Sequence, residues 1–197
     1  AGTFDLGNNG LKSEVSLTTD TGLRLRKGKI RAELNGYYNR IDNYVFAVPT
    51  GALRTVDGNI YPEYRTTQGT AAIYGGEADA EYAPLKWLAF AGGVDLVYGR
   101  NETLGEPLAL IPANRYRMGV TFSANKIWDI IMNPYFSIKA RYVTRKTEIS
   151  SAERVLYPGF ADYTIVSAST GGDFSVGSQI WSYTIGADMG INFKKQD

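Results

Sequence analysis

Apolar and polar residues alternate one by one along most of this chain. Between residues 30 and 38 the even positions carry Ile30, Ala32, Leu34, Gly36 and Tyr38, and the odd ones carry Arg31, Glu33, Asn35 and Tyr37. Successive side chains of a strand point to opposite faces, so this segment has one apolar wall and one charged wall. The pattern predicts eight strands, over 13–26, 30–46, 63–82, 87–98, 114–123, 134–146, 162–169 and 178–193. Most are longer than an ordinary strand. The connections alternate short and long: tight turns at 26–29, 83–86, 124–133 and 171–177, and long polar loops at 47–62, 99–113 and 147–161. The 124–133 turn contains WDII, which suits a brief helical or extended piece.

A soluble sandwich also alternates apolar and polar residues. Strands of ten or more residues, Tyr, Trp and Phe near strand ends, and one-sided long loops favour an antiparallel transmembrane β-barrel instead. Composition agrees with this. The chain has 197 residues and is 44% hydrophobic, with 14 Tyr and 22 Gly. Tyr suits a membrane interface, because its ring is apolar and its hydroxyl wet. No stretch approaches the roughly 18 apolar residues of a transmembrane helix. The first residues do not read as a signal peptide, which an exported barrel needs, so the start is expected to have been removed.

Several function classes fall away. Lys and Arg number 21 against 20 Asp and Glu, so no charge excess calls for nucleic acid. There is no Cys and no His, which removes thiol chemistry, the commonest metal ligand and the usual proton shuttle. A Ser/His hydrolase is excluded for the same reason. Glu77, Asp79 and Glu81 form a row on one strand face. They could serve as a cation contact or, less simply, as acid/base carboxylates. The plainer expectation is pairing with basic residues across the lumen, because buried charges need partners. Arg115, Arg117, Lys139 and Arg141 form the matching basic patch, whose plainer role is salt bridging to that acidic row or to whatever fills the lumen, although an anionic substrate would also find it attractive. GTAAIYGGE lacks the Lys and spacing of a phosphate loop.

Four segments carry a family resemblance. GNNGLKSEVS (7–16) resembles the loop-to-strand signature G-N-P-x-L-K-P-E, with Asn9 and Ser13 where Pro is usual. YYNRIDNYV (37–45) is similar to an aromatic-rich strand ending in Ile-x-x-aromatic. IYGGEADAEYAPLKWLAFAGGV (73–94) resembles the strand, turn and strand around G-x-E. PLALIPANRYRMGV (107–120) resembles P-L-x-x-x-P-x-x-R/K-x-x-x-G-V. In this order they resemble the C-terminal part of the barrel of a TonB-dependent outer-membrane receptor.

The resemblance implies a barrel of about twenty-two strands around an N-terminal plug. Residues 1–197 would then be part of the barrel, without the plug or the final strands, which MGINFKKQD (189–197) would precede. It implies import of a scarce nutrient, most often a ferric siderophore, energised through TonB in the outer membrane of a Gram-negative-type bacterium. The partners would be outer-membrane lipid, TonB and the plug through the missing part, and a small-molecule or metal-chelate substrate. No cofactor, resident metal or catalytic residue is implied. Substrate contacts in the family lie in outer loops and plug apex, which makes Arg54, Tyr61 and Tyr157 candidates beside lumenal Arg115, Arg117 and Arg141. The alternative is a self-contained eight-stranded outer-membrane protein with a structural or adhesive role. A charge placed at Leu96, facing lipid, should cost roughly 2–4 kcal/mol if that site is near the bilayer midplane, and one at lumenal Gly93 should be milder.

Overall fold

A computed structural model describes residues 2–128, 130–154 and 159–191. The elements are β1 (Phe4–Leu6), β2 (Val15–Lys27), β3 (Ile30–Val56), β4 (Asn59–Leu85), β5 (Leu88–Asn101), β6 (Glu106–Pro107), β7 (Arg115–Ser123), β8 (Lys126–Ile127), β9 (Ile131–Val143), α1 (Ser151–Arg154), β10 (Tyr163–Val176) and β11 (Gln179–Ile191). The eight long strands form one antiparallel sheet in the order β11-β10-β9-β7-β5-β4-β3-β2. Each long strand thus lies beside its sequence neighbours, an up-and-down meander. β2 and β11, at the two ends, do not pair with each other. Among the described residues the sheet is an open arc, and an eight-stranded closed barrel is not formed.

The alternation places the side chains as predicted. Leu17, Leu23, Leu34, Met118, Ile185 and Met189 are exposed large apolar residues, Leu17 at 71%. An apolar face this open suits lipid rather than water. Aromatic rows bound it at both ends. Near the long loops Tyr38 stacks on Tyr74 at 6.4 Å and Tyr74 on Tyr98 at 5.7 Å, and Tyr116 meets Tyr142 at 6.3 Å. At the tight-turn end Trp87 stacks on Phe122 at 6.3 Å. Tyr74 and Tyr82 lie eight residues apart on β4, roughly 26 Å of strand, close to the height of a lipid-facing band.

Three expectations change. Residues 47–62 do not form a loop. β3 and β4 run on, 27 residues each, to a two-residue tip at Asp57 and Gly58 with φ of 49° and 79°. Positive φ at both central positions is the type I′ geometry that suits strand twist, and Asp-Gly supplies it. Pro49, Gly51 and Pro62 suggested a loop. The ladder absorbs them at a register shift between Pro49 and Leu53, where a bulge tolerates what a regular ladder does not. Next, β10 continues past residue 169 to Val176, with a bulge between Gly171 and Asp173. Last, the expected turn 124–133 holds a short ladder of its own, in which Lys126 and Ile127 pair with Met132 and Ile131. The expected loop 147–161 carries the short α1, and β1 lies parallel against β4. Residues 192–193, expected at the end of the last strand, lie outside the described residues.

Side-chain burial concentrates beyond the wall. Tyr64, Ala71, Ala72, Leu108, Val143 and Ile149 are the buried apolar residues. They gather around the upper β3–β4 hairpin and the two long loops, and α1 contacts β3 there.

Candidate functional site

The register assembles the charged face into rows across strands. One row runs Arg24, Glu33, Asp79, Gly93, Arg117, Arg141 and Ile165 from β2 to β10. The next toward the tight turns runs Arg26, Arg31, Glu81, Ala91, Gly119, Lys139, Ser167 and Asp188. The next toward the long loops holds Asn35, Glu77, Asp95, Arg115 and Val143. Acids therefore concentrate on β3 to β5, with cations on β7 and β9 at one side and Arg24, Arg26 and Arg31 on β2 and β3 at the other.

Ion pairs stitch the seams between these stripes. Arg117 reaches Asp79 at 3.1 Å and Asp95 at 3.0 Å, and Arg115 reaches Asp95 at 3.5 Å. On the far side Arg24 pairs with Glu33 at 3.0 Å, and Arg31 lies 3.9 Å from Glu81. The expected pairing of the acidic row with arginines thus holds for Asp79 and Glu81. Glu77 makes no ion pair among the described residues. Gly93 faces this network, as expected, and the network lies close: a Cβ there would meet the Asp79 carboxylate, come within 3.0 Å of Arg117 Nη2 and lie 3.2 Å from the Ala78 carbonyl. A substitution at Gly93 must therefore shift the ends of the Asp79 and Arg117 side chains, and its cost is set by how far their ion pair can give. A groove of about 650 Å³ runs along this face, bordered by Arg24, Arg31, Asp79, Arg117, Lys139 and Arg141.

Arg54 and Tyr61 sit elsewhere. They oppose each other near the hairpin tip, some twenty residues along β3 from the charged rows, or roughly 60 Å of strand. Arg54 Nε donates to the Glu63 carboxylate, which also accepts from Thr50 Oγ1 at 2.9 Å. These two bonds hold the Glu63 carboxyl below the usual glutamate range, the Arg54 bond contributing most. The Arg54 guanidinium also lies 5.8 Å over the Phe4 ring, a cation–π contact. Arg54 is thus committed to holding β1 and Glu63 together. Tyr157 lies outside the described residues. The six predicted positions do not converge: Arg115, Arg117 and Arg141 share one patch, while Arg54 and Tyr61 form a separate one.

A further cluster escaped the sequence reading. Lys146 Nζ pairs with Glu153 Oε1 at 2.6 Å, with side chains 10% and 8% exposed. Glu153 Oε2 accepts from the Leu110 amide at 3.3 Å. Ser151 donates its amide and hydroxyl to Glu106 at 3.0 and 2.9 Å. Tyr64 Oη donates to the Ala152 carbonyl at 3.0 Å, and burial pushes its phenol upward. These bonds bind loops 102–114 and 144–162 to each other and to the hairpin, forming an outer cap. No alternation signals it, because its contacts join residues from two separate loops and the hairpin.

Comparison with known proteins places this geometry. The family described as TonB dependent receptor-like, beta-barrel, matches residues 1–195. No curated protein matches the chain at a significant level. Among solved structures the chain is similar to one described as the copper transporter OprC, with a TM-score of 0.72 and 19% identity, over 92% of this chain and 27% of that one. The chain therefore spans about a quarter of that structure's length, and at this identity the likeness speaks for the fold.

Proposed function

We infer the function from one premise: the chain belongs to the TonB-dependent receptor-like β-barrel family. On that premise this arc is a section of the wall of an outer-membrane active transporter, energised through TonB and importing a scarce nutrient as a small metal chelate, a ferric siderophore by preference. The observation that carries the reading is the two-faced sheet, apolar and girdled by aromatics outside, charged and grooved inside. A water-soluble module has no use for that outer face. Its two open edges would be unpaired in lipid, where backbone groups need partners. Further strands closing a barrel of about twenty-two, with a plug inside, supply those partners. The wall provides lumenal charge and outer loops, and no bond is made or broken by its residues. The similar transporter carries copper, which supports a metal cargo and leaves iron as the specific proposal.

The deciding test is an outer-membrane fraction run boiled and unboiled on a gel, probed for peptides of this chain. A heat-shifted band several times 21.6 kDa is the expected result, and a band near that mass overturns the reading. Iron uptake from a ferric siderophore should then cease when TonB is removed. Copper uptake that ceases with iron unaffected would overturn the choice of metal.

A further inference from the structure

In an outer-membrane barrel the tight turns face the periplasm and the long loops face outward. Gly28 and Lys29 form the two-residue tip between β2 and β3, and Lys86 and Trp87 form the tip between β4 and β5. Gly28 has φ of 57°, the first-position glycine of a type II′ hairpin turn. The two tips are fastened together. The Ala83 amide donates to the Lys29 carbonyl at 2.9 Å, and Lys29 Nζ donates to the Pro84 carbonyl. Lys29 is thereby drawn toward Lys86, two residues past Pro84, and both are exposed. The Pro84 bond is the one hydrogen bond of this ammonium among the described residues, so two of its three donors remain. Beneath the lysines the outer face is apolar. Ile30, Tyr82 and Phe90 stand side by side on β3, β4 and β5, all exposed, and Trp87 stacks on Phe122 beside them. Arg26 and Arg31 border the lumenal groove, and Lys29 and Lys86 do not. The lysine pair therefore sits at the rim of the lipid face. Its three strands are flanked on both sides within the arc, so neither a plug in the lumen nor strands beyond β2 and β11 cover it.

We propose that Lys29 and Lys86 hold the phosphodiester of an anionic phospholipid in the periplasmic leaflet, with its acyl chains along Ile30, Tyr82 and Phe90. The order of groups along the wall matches the order along such a lipid. Ammoniums stand at the rim, where a phosphate oxygen accepts charge-assisted bonds. Trp87 stands at headgroup level, where an indole is at home, and the apolar row follows toward the bilayer interior. A zwitterionic lipid carries its own ammonium beside the phosphate, which the two lysines repel. A lipid with an uncharged headgroup beyond the phosphate meets no such opposition, and juxtamembrane lysines attract it. An acidic soluble protein would satisfy the lysines and leave the apolar row without a partner. The site rests on the reading of this sheet as an outer-membrane wall, and on neither the cargo nor the energy source.

The test uses the full-length protein in detergent, titrated with phosphatidylglycerol or with phosphatidylethanolamine of the same acyl chains and read by native mass spectrometry. Wild type should retain phosphatidylglycerol at concentrations about ten-fold lower than phosphatidylethanolamine. The K29Q/K86Q double variant should lose that preference. K12Q makes the same change of charge in the exposed segment leading into β2 at the long-loop end, and should keep it. Retained heat-shifted gel mobility shows that each variant is folded. Glycerol 3-phosphate in large excess should not displace the lipid, because it has no chains for the apolar row. Equal retention of the two lipids by wild type overturns the proposal. So do an undiminished preference in the folded double variant, a preference lost equally in K12Q, and displacement by glycerol 3-phosphate. Lipid preference without TonB-dependent uptake would leave the site standing and remove the transport reading; uptake without the preference would do the reverse.

Discussion

The sheet wall and the outer cap are built on opposite principles from the same chain. In the wall, the large apolar side chains are the exposed ones, and cohesion comes from the ladder and from the surrounding solvent being lipid. In the cap, Leu108 is 3% and Ile149 8% exposed, and the polar groups between them are hydrogen-bonded, as in a water-soluble core. No buried side-chain nitrogen or oxygen among the described residues lacks a partner. The difference teaches where shape is fixed. The wall tolerates exchange of one apolar residue for another, because lipid conforms. The cap does not, because its few buried groups have specific mates.

The sharpest way to break the comparison is to remove one partner of the buried pair. Lys146→Ala leaves Glu153 buried and uncompensated and should destabilise the cap by about 3–5 kcal/mol. Limited proteolysis should then cut within 144–162, while the heat-shifted mobility of the barrel is retained. A loss of both would show cap and wall to be one unit. Leu96→Arg is the reverse experiment. Leu96 lies two residues from Tyr98 of the aromatic row, so the change should cost the wall about 1 kcal/mol, the interfacial end of the range, in urea unfolding from lipid vesicles and leave the cap's protease resistance intact below the transition. Gly93→Ala should cost about 1–3 kcal/mol in the same assay, because the new methyl displaces Asp79 from Arg117. Tolerance at Gly93 equal to that of an exposed site would refute the close approach. The smallest wall effect is expected from Arg31→Gln, about 0–1 kcal/mol, since its pair with Glu81 is long and half-exposed.

Acid separates the regions without mutation. The folded-state carboxyl of Glu63 is depressed by Arg54 and Thr50, so its contribution is present above the ordinary glutamate value near 4.3 and is lost as pH falls through the lower folded value. The protection of the upper-hairpin amides, corrected for the intrinsic pH dependence of exchange, should be constant from pH 7 to 5 and should fall as pH drops below the ordinary glutamate value. Arg54→Gln should move that loss to higher pH. Protection indifferent to both changes would remove Glu63 as the hairpin's anchor.

The wall was legible in the sequence because its cause is local. Period-two alternation fixes which face each residue takes, and with tight turns it nearly fixes register. Asp79 and Glu81 could therefore be assigned arginine partners before any coordinates. The hairpin was missed although its signal was present: Asp57-Gly58 lies between Thr55-Val56 and Ile60-Tyr61, the strongest short-range hairpin cue. Pro49 and Pro62 outweighed it, since proline argues against a central strand. The cap was not legible at all. Glu153 finds Lys146, Leu110 and Ser150 through loop closure, and closure follows no period. Arg54 showed the same limit in another form: an arginine in an apparent loop invited a ligand, and its partner proved to be Glu63, nine residues along and across a turn.

The unbroken β3–β4 ladder has a mechanical consequence. Two strands of 27 residues run as one strut from the tight-turn rim through the aromatic rows to the tip at Asp57. A strut of this kind transmits torque, and it flexes where its ladder is interrupted, at the shifts between Ile41 and Tyr44 and between Pro49 and Leu53. The lower hinge lies beside the Tyr38–Tyr74 row, at the level where the strut leaves lipid. Force applied at the tip therefore meets the upper interruption first and the one at the water boundary second, before it reaches the lumenal charges below.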